Sequence, residues 1–164
     1  MTVVNFRAKI VSMDQLPRRR DEFRKAGKRL VATNGCFDLL HAGHVTYLEA
    51  ARNAGDALLV GVNGDASVRE LKGEGRPIIP GLDRALVLAA LEAVDAVCIF
   101  PEVRAAEFLR LGCPDIYAKG GDYTLESLNQ EERRIVEQAG GKIIFIPFVA
   151  GKSTSGLLRK IMDL

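Results

Sequence analysis

The sequence predicts an α/β fold, a single Rossmann-like, doubly wound domain of about five parallel strands with helices on both faces. Three observations predict it. Short apolar runs alternate with amphipathic stretches along nearly the whole chain, the order that builds a parallel sheet. The run Ala57-Leu58-Leu59-Val60-Gly61-Val62 is apolar without interruption, as a strand covered on both faces has to be. Glycines, histidines, lysines and hydroxyls gather just after such runs, at the strand ends and helix starts where open α/β sheets hold ligands. A length of 164 residues suits one domain. Residues 29–164 carry the alternation and form that domain, while residues 1–28 are an N-terminal extension and a helix packed on it.

Residues 1–11 read as a loose start. Ser12 offers an N-cap to a helix over residues 13–26, stopped by Gly27; Pro17 fits if the helix begins near it. Residues 29–35 are the first strand. Residues 43–54 are a helix with a core face of Val45, Leu48 and Ala51, ended by Gly55. The apolar run at 57–62 is the second strand, followed by Asn63-Gly64-Asp65. An apolar helix covers 82–94, a strand 96–100 and a helix 103–111. Cys113-Pro114 breaks the chain before a short strand at 116–118. A charged amphipathic helix covers 127–139, a fifth strand 142–146 and a last helix 156–162. The chain has no repeats, low-complexity segment or internal linker.

Composition narrows the function. A net charge of +2 gives no global pull toward nucleic acid or an anionic membrane, and Arg18-Arg19-Arg20 is followed at once by Asp21-Glu22, as on a solvated helix face. Tryptophan is absent, which removes the best platform for stacking single-stranded bases. The cysteines Cys36, Cys98 and Cys113 lack metal-like spacing, and an odd count without a secretion signal reads as reduced, cytoplasmic thiols. No apolar run is long enough to span a bilayer, so neither membrane nor nucleic acid is an expected partner.

Chemistry concentrates between Thr33 and His44, in Thr33-Asn34-Gly35-Cys36-Phe37-Asp38-Leu39-Leu40-His41-Ala42-Gly43-His44. This stretch joins a strand to a helix, the geometry that presents a phosphate to a helix N-terminus. The chain has only two histidines, and both are here, three apart, so that their rings can face one side. Gly43 lets a ligand approach the backbone. One reading is a turn in which one histidine caps the helix and the other packs. The other is a polyphosphate site of two imidazoles and a row of backbone N–H groups. Zinc would need more ligands than Cys36 alone adds, and a nucleophilic Cys36 would need His41 as its base.

Four more clusters stand at strand ends or helix starts. Asn63 and Asp65 follow the second strand, as substrate contacts or as turn and N-cap residues. Leu71-Lys72-Gly73-Glu74-Gly75-Arg76-Pro77 is either a flexible surface loop or a lid that carries Lys72 and Arg76 onto a triphosphate. Lys119-Gly120-Gly121-Asp122-Tyr123 sets a cation and two glycines after the fourth strand. Gly151-Lys152-Ser153-Thr154-Ser155 opens the last helix; it is not a phosphate loop of the Walker type, because the required earlier glycine is Ile146. Its three hydroxyls at a helix start are anion ligands, although ordinary capping explains one of them.

The pattern G-C-F-D-L-L-H-A-G-H resembles the signature of the cytidylyltransferase-like nucleotidyltransferases. With L-K-G-E-G-R-P and K-G-G-D-Y, the wider match resembles the D-glycero-β-D-manno-heptose 1-phosphate adenylyltransferases, which occur as separate enzymes or as half of a bifunctional heptose kinase/adenylyltransferase. The resemblance runs from about Lys9 to Ile161. The family's second nucleotide motif is usually an aliphatic residue followed by Ser-Thr-Thr; here Lys152 precedes Ser153-Thr154-Ser155, which keeps the hydroxyl in the third place.

The resemblance implies transfer of AMP from ATP to a sugar 1-phosphate. His41 and His44 would meet charge developing on the phosphates, and Lys72 would act as a lid over the β and γ groups. Asn34, Gly35, Cys36, Phe37, Gly43, Arg84, Lys119, Gly120, Ser153, Thr154 and Ser155 would surround the nucleotide. Arg84, which a structural pair with Asp83 would also explain, matches an arginine near the family's active site. Asp38, Asn63, Asp65, Arg76, Gly121 and Asp122 would face the acceptor, unless Asp38 braces the histidines. Mg²⁺ would be held mainly by ATP phosphates, with no metal site of the protein's own. The resemblance further implies a homo-oligomer and a separate heptose kinase upstream. Sister activities on glycerol 3-phosphate or FMN, or a non-catalytic nucleotide-binding module, are the alternatives.

Overall fold

The computed structural model describes residues 5–121, 123–147, 151 and 154–163. Six strands form one sheet: β1 (Ile10–Val11), β2 (Leu30–Gly35), β3 (Ala57–Asn63), β4 (Ala96–Phe100), β5 (Ile116–Gly120) and β6 (Lys142–Ile146). Their spatial order is β1-β4-β3-β2-β5-β6, and every neighbouring pair is parallel. The helices are α1 (Leu16–Lys25), α2 (Ala42–Asn53), α3 (Asp65–Lys72), α4 (Gly81–Ala89), α5 (Ala106–Gly112), α6 (Gln130–Gln138) and α7 (Thr154–Met162).

Alternation along the strands sorts the core into two layers. Leu30 and Ala32 of β2 pack with Leu16 and Phe23 of α1, Phe108 of α5 and Val136 of α6. Val31 points to the other side, where Leu48 and Ala51 of α2 and Ala85 and Leu88 of α4 cover the sheet. All of β3 is buried, as its unbroken apolar run requires.

The N-terminal segment corrects the expectation of a loose start. Ile10 and Val11 pair with Val97 and Cys98 and supply a sixth, edge strand. Two residues are too few to show a period, so nothing local marks them as a strand. The helix expected from Met13 begins as a 3₁₀ turn, Met13–Gln15, in which the Ser12 N–H donates to Gln15 Oε1 at 3.0 Å; α1 proper starts at Leu16, with Pro17 in its first turn. That resolves the conflict posed by Pro17, which needs no N–H there.

The chain winds outward from β2 to β3 to β4, then returns to lay β5 and β6 on the opposite side of β2. The direction therefore reverses between β2 and β5. β2 pairs with β3 along its full length, from Leu30↔Ala57 to Gly35↔Val62, but meets β5 only at Val31↔Ile116 and Ala32↔Tyr117. Beyond Ala32 a crevice lies open at the C-terminal ends of both strands, where doubly wound sheets place their ligands.

Candidate active site

A cleft of about 990 Å³ occupies this crevice. At its centre is the start of α2. His41 is the N-cap, in extended conformation, and its Nδ1 accepts from the Gly43 N–H at 3.1 Å. The neutral ring therefore carries its proton on Nε2. The His44 ring lies 4.0 Å from that of His41, centroid to centroid, and 5.5 Å from that of Phe37. Among the described residues, His44 Nδ1 is buried without a hydrogen-bond partner. Burial, and then the neighbouring His41, lower His44 to about 4. His44 thus enters as a neutral imidazole, able to donate N–H or to take up a proton once an anion arrives.

Two backbone approaches shape the floor. Phe37 adopts φ +48°, which turns its ring back under Gly35; a Cβ there would come within 3.0 Å of the ring. At the end of β5 a Cβ on Gly120 would come within 3.0 Å of the Tyr47 ring. Tyr47 cannot easily yield. Its hydroxyl donates to the Ala118 carbonyl at 3.1 Å and accepts from Thr33 Oγ1 at 2.6 Å, and burial pushes it up to about 12.

Asp38 and Arg84 fasten the segment that follows the proposed lid. Asp38 is 4% exposed; its Oδ1 accepts from the N–H groups of Ile78 and Ile79, at 2.8 and 2.9 Å, and its Oδ2 from Arg76 Nε at 2.5 Å. Burial would raise the carboxyl, but those N–H groups and the guanidinium outweigh it and hold it below its ordinary value. Arg84 is 1% exposed and donates to the carbonyls of Ile79, Cys36 and Asn63 and to Asp65 Oδ1. Between these clips Gly73 and Gly75 have φ of +93° and +80°, with open space where a Cβ would stand. Lys72, exposed at the end of α3, borders that strap.

Of the expected site residues, the cleft gathers Asn34, Gly35, Cys36, Phe37, Asp38, His41, Gly43, His44, Asn63, Lys72, Arg76, Lys119, Gly120, Thr154 and Ser155. Arg84, Asp65 and Gly121 do not line it. Arg84 was expected at the nucleotide, but its donors go to the protein; Asp65, expected at the acceptor, is its counter-ion. Asp38 lines the cleft, yet it braces the Arg76–Ile79 segment rather than the histidines, and Arg76 is bound up with it. Asn63 is 2% exposed and its amide reaches the carbonyls of Glu102 and Val103. Ser153 and Asp122 lie outside the described residues. Burial holds the Cys36 thiol above its ordinary value despite the nearby Lys72 and Arg84, which disfavours a thiolate nucleophile. Among the described residues no three His, Cys, Asp or Glu converge to hold a metal ion.

The cleft also contains residues that sequence reasoning missed, Tyr47, Arg104, Asn129, Glu132 and Arg159, and Tyr123 of the K-G-G-D-Y cluster. Arg104 had a usable signal, since it follows β4 just as Lys119 ends β5. Glu132 had none, because an acidic residue in a helix's first turn reads as ordinary dipole complement.

Residues 32–156 match the family model described as cytidylyltransferase-like. The chain is 51% identical over 153 residues to the bifunctional protein HldE of Methylobacillus flagellatus, an alignment covering 93% of this chain and 31% of that protein. It is 48% identical over 156 residues to the bifunctional protein HldE of Pelobacter propionicus, covering 95% of this chain and 32% of that one. The chain thus spans about a third of the length of these curated relatives. Among solved structures, the lipopolysaccharide core biosynthesis protein of Thermoplasma volcanium superposes with a TM-score of 0.61 at 26% identity, over 75% of this chain and 98% of that one. Pantoate-beta-alanine ligase of Francisella tularensis shares the fold, with a TM-score of 0.59 at 12% identity over 94% and 79% of the two chains.

Proposed function

This chain belongs to the cytidylyltransferase-like family, and from that premise we propose that it transfers AMP from ATP to D-glycero-β-D-manno-heptose 1-phosphate, releasing pyrophosphate and ADP-heptose. The observation that carries the reading is the pair of imidazoles at the start of α2, 4.0 Å apart, in the crevice where the sheet reverses direction. Identity of 45–51% to proteins named bifunctional HldE supports the choice of reaction within the family.

A phosphate oxygen of the acceptor attacks the α-phosphorus of ATP in line. The new P–O bond forms as the bond to the α–β bridging oxygen breaks, and its electron pair leaves with pyrophosphate. A sugar phosphate is already ionised at neutral pH, so no general base is required, and catalysis rests on alignment and on meeting charge at the bridging oxygen. His41 donates from Nε2. His44 lies beside it as a second donor, with the Phe37 ring 5.5 Å away. The N–H groups that open α2 and the turn at Cys36–Phe37 approach the α-phosphate. Lys72, at the end of α3 beside the glycine strap, closes over the β and γ groups. Thr154 and Ser155 bring the start of α7 against the nucleotide; Thr154 Oγ1 lies 3.5 Å from the Leu39 carbonyl, which ties that helix to the α2 turn.

The donor set fits Mg²⁺ held by substrate oxygens rather than by the chain, because the buried carboxylate of Asp38 and that of Asp65 are both engaged by arginines. Bound with ATP, such an ion would supply positive charge to the polyphosphate. A kinase must make the acceptor upstream, and we place the reaction in the cytoplasm; among the described residues no helix is long and apolar enough to cross a membrane.

Pyrophosphate release with Mg²⁺ tests the reading, with ATP or CTP each paired with the heptose 1-phosphate, glycerol 3-phosphate or FMN. Release with ATP and the heptose phosphate alone is expected. Release with another pair moves the protein to a sister activity, and ATP binding without release from any pair refutes catalysis on these acceptors.

A further inference from the structure

The glycine strap between α3 and α4 is pinned at one end. At its α4 end the Ile79 peptide is held from both sides: its N–H donates to Asp38 Oδ1 at 2.9 Å, and its carbonyl accepts from Arg84 Nε at 2.9 Å. The Ile78 N–H joins the same carboxylate oxygen at 2.8 Å, and Asp38 Oδ2 takes Arg76 Nε at 2.5 Å. Toward α3 the holding stops. The Gly73 N–H still closes the helix on the Arg69 carbonyl at 2.8 Å, but among the described residues neither Glu74 nor Gly75 enters a hydrogen bond. The lid expected from the sequence carries Lys72 and Arg76 together. In the fold Arg76 is clamped, and two glycines of positive φ separate it from Lys72.

The clamp grips one edge of the guanidinium. Only Nε meets Asp38; among the described residues Nη1 and Nη2 have no hydrogen-bond or ion-pair partner. A guanidinium is a flat fork of five N–H donors, so a carboxylate on one edge leaves the two terminal nitrogens for a second, two-pronged contact. Phosphate is the anion that fits such a fork. The Arg76 side chain is 18% exposed and lines the cleft, on a strap that leads into α4, which covers the same face of the sheet as the histidine-bearing α2. The local field is cationic on balance. Burial raises the Cys36 thiol most; Lys72 and Arg84 oppose it, Asp38 adds to it and Arg76 opposes it again. Three cations against one carboxylate therefore reach the turn that approaches the α-phosphate, and Lys72 and Arg76 are two of them.

We propose that Asp38 is a positioning residue of the ATP site, holding Arg76 by its Nε edge so that the terminal nitrogens form a fixed fork for the β and γ phosphates, which Lys72 meets from across the glycines. The proposal rests on the transferase reading above and divides the lid in two, a preformed half at Arg76 and a closing half at Lys72. It also moves Arg76 from the acceptor to the nucleotide. A fork set before ATP arrives loses little rotamer freedom on binding. AMP, which lacks the β and γ groups, gains nothing from it.

The test is calorimetric binding of ATP and of AMP with Mg²⁺ and no acceptor, followed by the steady-state kinetics of pyrophosphate release with D-glycero-β-D-manno-heptose 1-phosphate. The proteins are the wild type, Arg76→Gln, Arg76→Lys, Asp38→Asn and the Asp38→Asn/Arg76→Gln double variant. Arg76→Gln is expected to weaken ATP by about tenfold or more and to leave AMP unchanged, with the KM for ATP rising and that for the heptose phosphate holding. Arg76→Lys should recover little, because an ammonium has no second edge to offer. Asparagine at 38 keeps an oxygen for the Ile78 and Ile79 N–H groups but sets an amide against Arg76 Nε. It should weaken ATP in the same direction, and add nothing once Arg76 is gone. Equal losses for ATP and AMP, a rise confined to the acceptor KM, or additive effects in the double variant overturn the proposal. If Asp38→Asn does not fold, Arg76→Lys decides: ATP affinity equal to the wild type overturns the fork. A wild type that binds ATP no better than AMP overturns the subsite. A wild type that releases no pyrophosphate with any acceptor, while Arg76→Gln still weakens ATP alone, overturns the transferase reading and leaves the subsite standing.

Discussion

His44 offers a measurement in which burial, charge and function meet. Burial and the neighbouring His41 take it from an ordinary 6.5 to about 4 in the folded protein. The unfolded chain therefore binds a proton between those values that the folded chain refuses, and stability falls as pH drops through that window. At about 1.4 kcal/mol per pH unit the full gap has a ceiling of about 3 kcal/mol. His44 is only partly buried, so solvent screening brings this to roughly 1–2 kcal/mol. Between pH 7 and pH 5, before most carboxylates titrate, about 1 kcal/mol should be lost. With only two histidines in the chain, proton NMR gives two imidazole titrations to follow. His44 should stay neutral to near pH 4 in the free protein and move upward when ATP is added, since an anion favours the charged ring. Urea unfolding at pH 7 and pH 5 supplies the stability difference, and His44→Asn should remove it. A His44 resonance that titrates near 6.5 in the free protein would refute the dry pocket, and one that ignores ATP would refute the placement of the polyphosphate. Turnover of His44→Ala should fall on the order of a hundredfold, as loss of one donor to developing charge does.

Three further outcomes are expected. Lys72→Ala should raise the KM for ATP and slow turnover on the order of a hundredfold without moving the thermal midpoint, because Lys72 is exposed; a change in thermal stability alone would remove the lid. Gly120→Ala should destabilise by about 1–3 kcal/mol in urea, since the new Cβ meets a Tyr47 ring held at its hydroxyl; wild-type stability would mean that the ring moves freely. Arg84→Leu should unfold more easily by about 3 kcal/mol or more, because it strands Cys36, Ile79 and Asn63 carbonyls at once; an equally stable variant that has lost activity would return Arg84 to a ligand-binding role.

The alternation of strand and helix was legible because burial on both faces leaves a continuous apolar run, as in β3. The turn from Thr33 to His44 stood out for a different reason: it joins a strand to a helix and holds both of the chain's histidines. β1 was not legible, because two residues carry no period. Arg84 and Asp38 were singled out as ligand contacts, but where each points was not readable. Whether an arginine reaches a ligand or three carbonyls is decided by packing that sequence spacing does not encode. Glu132 was invisible for the same reason. Its partners, the Ala105 N–H and the Tyr117 hydroxyl, lie far from it in the chain, and only the fold brings them together.

The brief meeting of β2 and β5 has a mechanical consequence. Two half-sheets, β1-β4-β3-β2 and β5-β6, are joined by a seam at Val31↔Ile116 and Ala32↔Tyr117. Past it, side chains take over from backbone: Lys119 and Tyr117 reach across to Asn34, and Tyr47 ties Thr33 to Ala118. The slot between the halves is the cleft itself, so whatever fills it becomes a set of missing rungs. Substrates in this protein would then do more than occupy a pocket. They would complete the sheet, and the rigidity of the loaded enzyme would be borrowed in part from the molecules it is about to convert.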